Sequence, residues 1–161
     1  MEIVQMQASD WPGVWSILEP TFREGTTYAF ETGITEVEAQ RYWVELPRAT
    51  FIARVDGEIL GTYYIKPNQP GQGAHVCNCG YVVAERARGQ GIASALCEHS
   101  QETARGMGFR AMQYNLVVAT NTAAVRLWQK HGFHIVGTLP GAFKHPEHGY
   151  VDAHVMYKIL V

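Results

Sequence analysis

The spacing of apolar and polar positions changes several times along this chain, and each change marks an element. Glu2–Met6 reads as a first strand. Asp10 caps a helix with Pro12 near its first turn, and that helix runs to about Glu19. Thr21–Gly33 is irregular, with Gly25, Thr26, Thr27 and Gly33 as turn residues. Thr35-Glu36-Val37-Glu38 is a capping box and opens a helix to about Leu46, where Pro47 stops it. Thr50–Val55 and Glu58–Lys66 flank Asp56-Gly57, a strong hairpin signal. Pro67–Gly73 is a loop, and His75–Val83 is a long strand that ends in the apolar run Tyr81-Val82-Val83-Ala84. Ile92, Ala95 and Leu96 open a helix over Ile92–Arg105, ended by Gly106 and Gly108. Ala111–Val118 is another strand. The next segment is a short amphipathic helix, with Thr120 or Asn121 as its cap, Val125, Leu127 and Trp128 as its bulky apolar residues, and Gly132 closing it. Phe133–Gly137, a loop through Gly149 and a last strand near Ala153–Leu160 complete the chain.

No repeat, linker or second domain interrupts this order, so residues 1–161 read as one domain. Composition adds only bounds. A hydrophobic content of 47% and a charged content of 17% suit a chain that buries a real core. A net charge of −2 gives no reason to expect nucleic acid or an anionic membrane as a partner. The apolar runs are too short to span a bilayer. Met1–Gln5 has neither the basic nor the apolar region of a signal peptide, so a cytoplasmic protein is expected. Cys77, Cys79 and Cys97 are read as reduced core thiols, because Cys77 and Cys79 lie too close in sequence for a usual zinc site; no metal is expected.

The densest chemistry lies in Arg88-Gly89-Gln90-Gly91-Ile92-Ala93-Ser94, between a strand and a helix. Two glycines let the backbone curl and turn its N–H groups inward, and the helix start adds unpaired donors and the positive end of the dipole. A phosphate or pyrophosphate suits such a place. A P-loop would need Lys-Ser/Thr after Gly91, where Ile92-Ala93 stand, and a dinucleotide fingerprint would need an acid after the next strand, where Ala119-Thr120-Asn121 stand. A glycine-rich turn of this kind can also bind nothing.

The spacing Arg-x-x-Gly-x-Ala at Arg88, Gly91 and Ala93 resembles the coenzyme A pyrophosphate loop of the GNAT superfamily of N-acetyltransferases. Asn121-x-x-Ala124, followed by a helix ending Lys130-His131-Gly132-Phe133, resembles the segment those proteins carry after their fifth strand. The resemblance covers roughly Ala49 to Val161 and is specific in these two motifs. It implies an α/β fold, a mixed but mostly antiparallel sheet of about six or seven strands with helices on both faces and splayed central strands. It also implies acetyl-CoA as cosubstrate. On this reading Arg88, Gly89, Gln90, Gly91, Ile92, Ala93 and Ser94 hold the pyrophosphate. The pantetheine arm pairs with the strand end Tyr81, Val82 and Val83, while Asn121 and Trp128 complete the cofactor side. An amine then attacks the thioester directly, with a strand N–H holding the developing oxyanion. One position departs from the family: many members place a tyrosine where Trp128 stands, to protonate the leaving thiolate. An indole N–H is no proton source near neutral pH, so the thiolate leaves unaided or another residue supplies the proton.

Asn78 and Asn115 sit mid-strand, where asparagine is poorly suited, on the two strands expected to part. Either each amide satisfies a bulge or a neighbouring loop, or both face the splay and form the catalytic, acceptor side of the site. The segment Thr26-Thr27-Tyr28-Ala29-Phe30-Glu31-Thr32 resembles the loop of phosphinothricin-type acetyltransferases. Three segments, Pro67-Asn68-Gln69-Pro70-Gly71, Cys77-Asn78-Cys79-Gly80-Tyr81 and Met112-Gln113-Tyr114-Asn115-Leu116, resemble a yeast acetyltransferase acting on azetidine-2-carboxylate, a proline analogue. Both imply transfer to the amine of a small amino acid, with amino-acid detoxification as a role and a homodimer by analogy. Two alternatives stay open: an acyl-CoA sensor without turnover, which Trp128 favours, and an enzyme acting on a protein or peptide amine.

Overall fold

A computed structural model describes all residues 1–161. One seven-stranded sheet organises the chain. Its strands are β1 (Glu2–Gln5), β2 (Ala49–Val55), β3 (Glu58–Pro67), β4 (Val76–Val83), β5 (Ala111–Val118), β6 (His134–His145) and β7 (Gly149–Ile159). The spatial order is β1-β2-β3-β4-β5-β7-β6, and every neighbouring pair is antiparallel except β4 and β5. The helices are α1 (Trp11–Glu24), α2 (Glu36–Gln40), α3 (Ile92–Gly106) and α4 (Thr122–Lys130). This is the mixed α/β fold with parted central strands that the two motifs implied.

Strand β3 shows how the two layers form. Trp43, fully buried just after α2, donates from its indole to Thr62 Oγ1 at 3.1 Å. On the opposite face the hydroxyl of Tyr63 lies 2.8 Å from His99 Nδ1 on α3. Alternation along one strand thus binds a helix to each side. Gly61 lets α3 settle close, since a Cβ there would stand 2.8 Å from Ile92 and 2.9 Å from Leu96. The β2–β3 turn has Asp56 at φ 49° and Gly57 at φ 82°, the two left-handed positions that a two-residue hairpin of this hand requires.

Three expectations are corrected. Helix α1 does not stop near Glu19 but continues through Pro20 to Glu24, closed by Gly25 at φ 70°. An interior proline costs a helix about 3 kcal/mol. Burying a phenylalanine returns about 1.5–3 kcal/mol, and Phe22, 1% exposed, packs on Tyr28, Phe30 and Trp43. Asp10 does not cap α1 through its side chain; its carboxylate accepts from Gln7 N at 2.8 Å and pairs with Arg54 at 2.7 Å. The helix after Thr35 runs to about Leu46 as expected, regular over α2 and wider over Arg41–Glu45, where Leu46 N bonds to Arg41 O. Thr35 does accept from Glu38 N at 3.2 Å.

The largest difference is at the end of the chain. The segment read as a short strand and a loop is the long edge strand β6, paired to β7 through a tight turn at Pro146-Glu147-His148. Residues His134–Ala142 are exposed on both faces, so no alternation marks them as a strand. Pro140 is tolerated because an edge strand does not need its missing N–H. Two register shifts absorb the irregular residues.

Candidate active site

The site is made where the sheet fails to close. Strands β4 and β5 pair at only two positions, Val76 with Ala111 and Cys77 with Met112, and then part. Asn78 stands at the crotch. Its side-chain amide donates to Gln113 O at 2.9 Å, where the next rung of the ladder would fall, and its Oδ1 accepts from the Tyr64 hydroxyl at 3.0 Å. A register shift between Tyr114 and Val117 turns β5 away. The gap opens into a cleft of about 890 Å³.

Backbone alternation decides what the gap presents. Ala84 N donates to Leu60 O and Asn68 N to Val76 O, so the even-numbered residues of β4 spend their backbone groups on β3. Cys79, Tyr81 and Val83 therefore turn theirs toward the gap, whereas the backbone of Val82, also assigned to the cofactor, faces β3. The Tyr81 carbonyl agrees with this: it accepts from the Tyr28 hydroxyl, at 2.7 Å, and from no β3 residue.

At the mouth, Gly89 and Gly91 take φ of 78° and 79°, and a Cβ at either would meet open space. Ile92, 3% exposed, pins the first turn of α3, whose first internal bond is Ala95 N to Gly91 O at 3.1 Å. The N–H groups of Ile92, Ala93 and Ser94 have no partner inside the helix. Arg88 and Ala93 line the cleft. This is an open, donor-rich cradle, and its residues fit a pyrophosphate. The Ser94 hydroxyl is held by His131 Nε2, which fastens the start of α3 to the end of α4. Gln90 is exposed and reaches back to Arg86 O. Asn121 caps α4 by accepting from Ala124 N at 3.3 Å, and it also lines the cleft.

Trp128 packs against the rings of Tyr81 (4.9 Å) and Tyr114 (5.0 Å). Those two phenols bond to each other at 2.9 Å, and Tyr81 also bonds to Ser100 at 2.7 Å, away from any charged partner. Trp128→Phe keeps the ring contacts and should keep most of the turnover; a loss in kcat beyond about a hundredfold with normal coenzyme A binding would instead mark a proton-transfer role.

Burial raises the phenols of Tyr28, Tyr63, Tyr64, Tyr81 and Tyr114 above the ordinary tyrosine value of 10.0. The folded chain then holds these protons more tightly than the unfolded one. The resulting stability is complete below the unfolded value and is lost as the pH rises past it. These groups should leave the melting temperature level up to about pH 9.5 and lower it steeply above about pH 10. A melting temperature unchanged at about pH 11.5 contradicts the buried phenols.

The cleft is also lined by residues the motifs did not point to. Tyr28 enters from the segment after α1, and Tyr64 and Lys66 come from β3. His145 and His148, with rings stacked at 4.5 Å, come from the β6–β7 turn. His145 Nδ1 accepts from Glu147 N at 3.1 Å and His148 N at 3.2 Å, which leaves its proton on Nε2 as a donor. Asn115 lines the cleft but is exposed, with its amide donating to Asn68 Oδ1 at 2.7 Å and accepting from Gln113 Nε2 at 3.0 Å. Both asparagines thus border the cleft, and both also satisfy neighbours. The resemblance of Thr26–Thr32 was the only signal toward Tyr28. No signal reached the histidines, because their turn reads as part of a long loop.

A fork between the two parallel strands, with a glycine cradle at its mouth, is thus the centre of the candidate site. Residues 9–133 match the model of the acetyltransferase (GNAT) family, and the chain belongs to that family. It is similar to the N-acetyltransferase aca1 of Schizosaccharomyces pombe, 40% identical over 60% of this chain and 47% of that protein. It is also similar to the L-amino acid N-acetyltransferase AaaT of Escherichia coli, 32% identical over 67% of this chain and 66% of that protein. The chain therefore spans about half the length of the first relative and about two thirds of the second. A solved GCN5-related N-acetyltransferase from Kribbella flavida is 41% identical, covers 98% of this chain and 96% of its own, and superposes with a TM-score of 0.93. No helix of the structure is long and apolar enough to cross a membrane.

Proposed function

We propose that residues 1–161 form a single acetyl-CoA-dependent N-acetyltransferase domain that acylates the amine of a small amino acid or amino-acid analogue by direct attack. The observation carrying this reading is the fork itself. Two rungs of pairing are followed by the end of β4, whose odd-numbered backbone groups face an 890 Å³ cleft, with the glycine cradle at its mouth. When bound, acetyl-CoA supplies an activated thioester. Ile92, Ala93 and Ser94 then offer N–H donors to the pyrophosphate, and Arg88 adds a fixed positive charge beside it. The N–H groups of Tyr81 and Val83 are placed to hold charge developing on a carbonyl oxygen in the gap. The aromatic walls of Tyr28, Tyr64 and Trp128 exclude water and disfavour the ammonium form of an entering amine. Asn78 and Asn115 present uncharged amides to the acceptor, each with one N–H beyond those already used.

The E. coli relative is named for L-amino acids, which supports a small acceptor. A thiol-release assay with a panel of free amino acids, azetidine-2-carboxylate included, tests the proposal directly. Turnover of at least one free amino acid is expected, and binding of acetyl-CoA without turnover of any amine would favour an acyl-CoA sensor. Trp128, in the place where many relatives carry a tyrosine, is the observation behind that second reading.

A further inference from the structure

We propose that Lys66 binds the carboxylate of the acceptor, so that the acceptor is a free α-amino acid and neither a simple amine nor an amino group inside a peptide. This rests on the reading of the cleft as an amino-acid acetyltransferase site. Lys66 lies near the end of β3, half-buried, in the wall of the cleft, directly opposite Asn78 in the strand register. Its ammonium lies 5.3 Å from the centroid of the Tyr64 ring, the same tyrosine whose hydroxyl holds Asn78. It has no carboxylate partner anywhere in the protein. A half-buried lysine loses hydration, and an aromatic face returns only about 0.5–1 kcal/mol of it. An anion from outside the chain completes that environment.

The position also suits the chemistry. The acids that line the cleft, Glu24 and Glu147, are both exposed at its rim, and the other cation, Arg88, sits at the cofactor loop. Apart from Arg88, Lys66 is thus the one lysine or arginine that lines the cleft. Asn78 and Tyr81 are three residues apart on one strand, about 10 Å. The four-carbon stem of lysine and the short span of an α-amino acid together cover that distance, leaving the amine beside the backbone donors of the gap. A charge that pairs with the carboxylate also leaves the amine free of any acid that would hold it protonated.

The test compares the best amino acid of the panel with its carboxamide, on the parent, Lys66→Met and Lys66→Arg, at saturating acetyl-CoA. The parent should prefer the acid by about tenfold or more in kcat/KM. Lys66→Met should erase that preference by raising KM for the acid about tenfold while the amide stays within about twofold, and Lys66→Arg should keep much of it. Coenzyme A affinity measured by calorimetry should match in all three, which shows that the fold and the cofactor side are intact. Equal losses on acid and amide in Lys66→Met, or a parent that does not discriminate, overturn the assignment while leaving the amino-acid reading in place. A parent that acetylates other amines but no free amino acid overturns both.

Discussion

Gly91→Asp should reduce coenzyme A affinity by at least about a hundredfold, or about 2.7 kcal/mol. Gly91 sits at φ 79° at the head of α3, with nothing within 4 Å of where a Cβ would stand. In the proposed reading that open space takes the pyrophosphate, and a carboxylate there would set negative charge against it. Aspartate tolerates the left-handed conformation better than most residues, at about 1 kcal/mol, which for a chain of this size lowers the melting temperature by only about 2–4 °C. Loss of binding would therefore not reflect unfolding. Gly91→Asn has the same shape without the charge and should fall between parent and Gly91→Asp, so calorimetric titration of all three separates bulk from repulsion. A Gly91→Asp protein that binds coenzyme A like the parent would show that the pyrophosphate is held elsewhere.

Asn78→Ala should weaken both the fold and the activity, whereas Asn115→Ala should weaken the activity alone. Asn78 is 6% exposed, and its removal strands the Gln113 carbonyl and the Tyr64 hydroxyl. Each buried group left unpaired costs about 1–3 kcal/mol, so the melting temperature should drop clearly. The crotch of the fork loses its brace at the same time. Asn115 is exposed, and its replacement should change stability by no more than about 0.5 kcal/mol. As acceptor-side donors, both should cost about 2–4 kcal/mol in kcat/KM, with coenzyme A affinity nearly unchanged. Because Asn115→Ala leaves the fold alone, it is the cleaner probe: parent-like kcat/KM in that variant removes Asn115 from the acceptor side. Parent-like kcat/KM in a destabilised Asn78→Ala would reduce Asn78 to a brace.

The two asparagines also mark the limits of reading the chain in one dimension. Their rarity inside strands signals that something is required of them, and both do border the cleft. Whether an amide faces a substrate, a neighbouring carbonyl or both depends on where β5 goes after Met112, and no local pattern records that. Tyr81 and Val82 are adjacent in an apolar run and look equivalent. Only the pairing of β4 with β3 shows that one turns its backbone into the gap and the other does not.

Local physics made the two motifs legible. A left-handed backbone at Gly89 and Gly91, an asparagine cap at Asn121 and a two-residue turn at Asp56-Gly57 each depend on a few consecutive residues, so the residue types alone announce them. The order of strands and helices followed for the same reason wherever one face is buried and the other wet. That rule failed where burial stopped being one-sided. The edge strand β6 meets water on both faces and carries Pro140, so its pattern is that of a loop, and the histidines it brings to the cleft could not be placed. Helix α1 outran its expected end because Phe22 found an aromatic pocket built by Tyr28, Phe30 and Trp43, residues distant enough that no window of sequence contains the whole contact. The chemistry of the cofactor side is thus written in short runs of the chain. The proposed acceptor side, with Tyr28, Lys66, Asn78 and His145 drawn from separate elements, exists only once long-range pairing has brought those elements to one cleft.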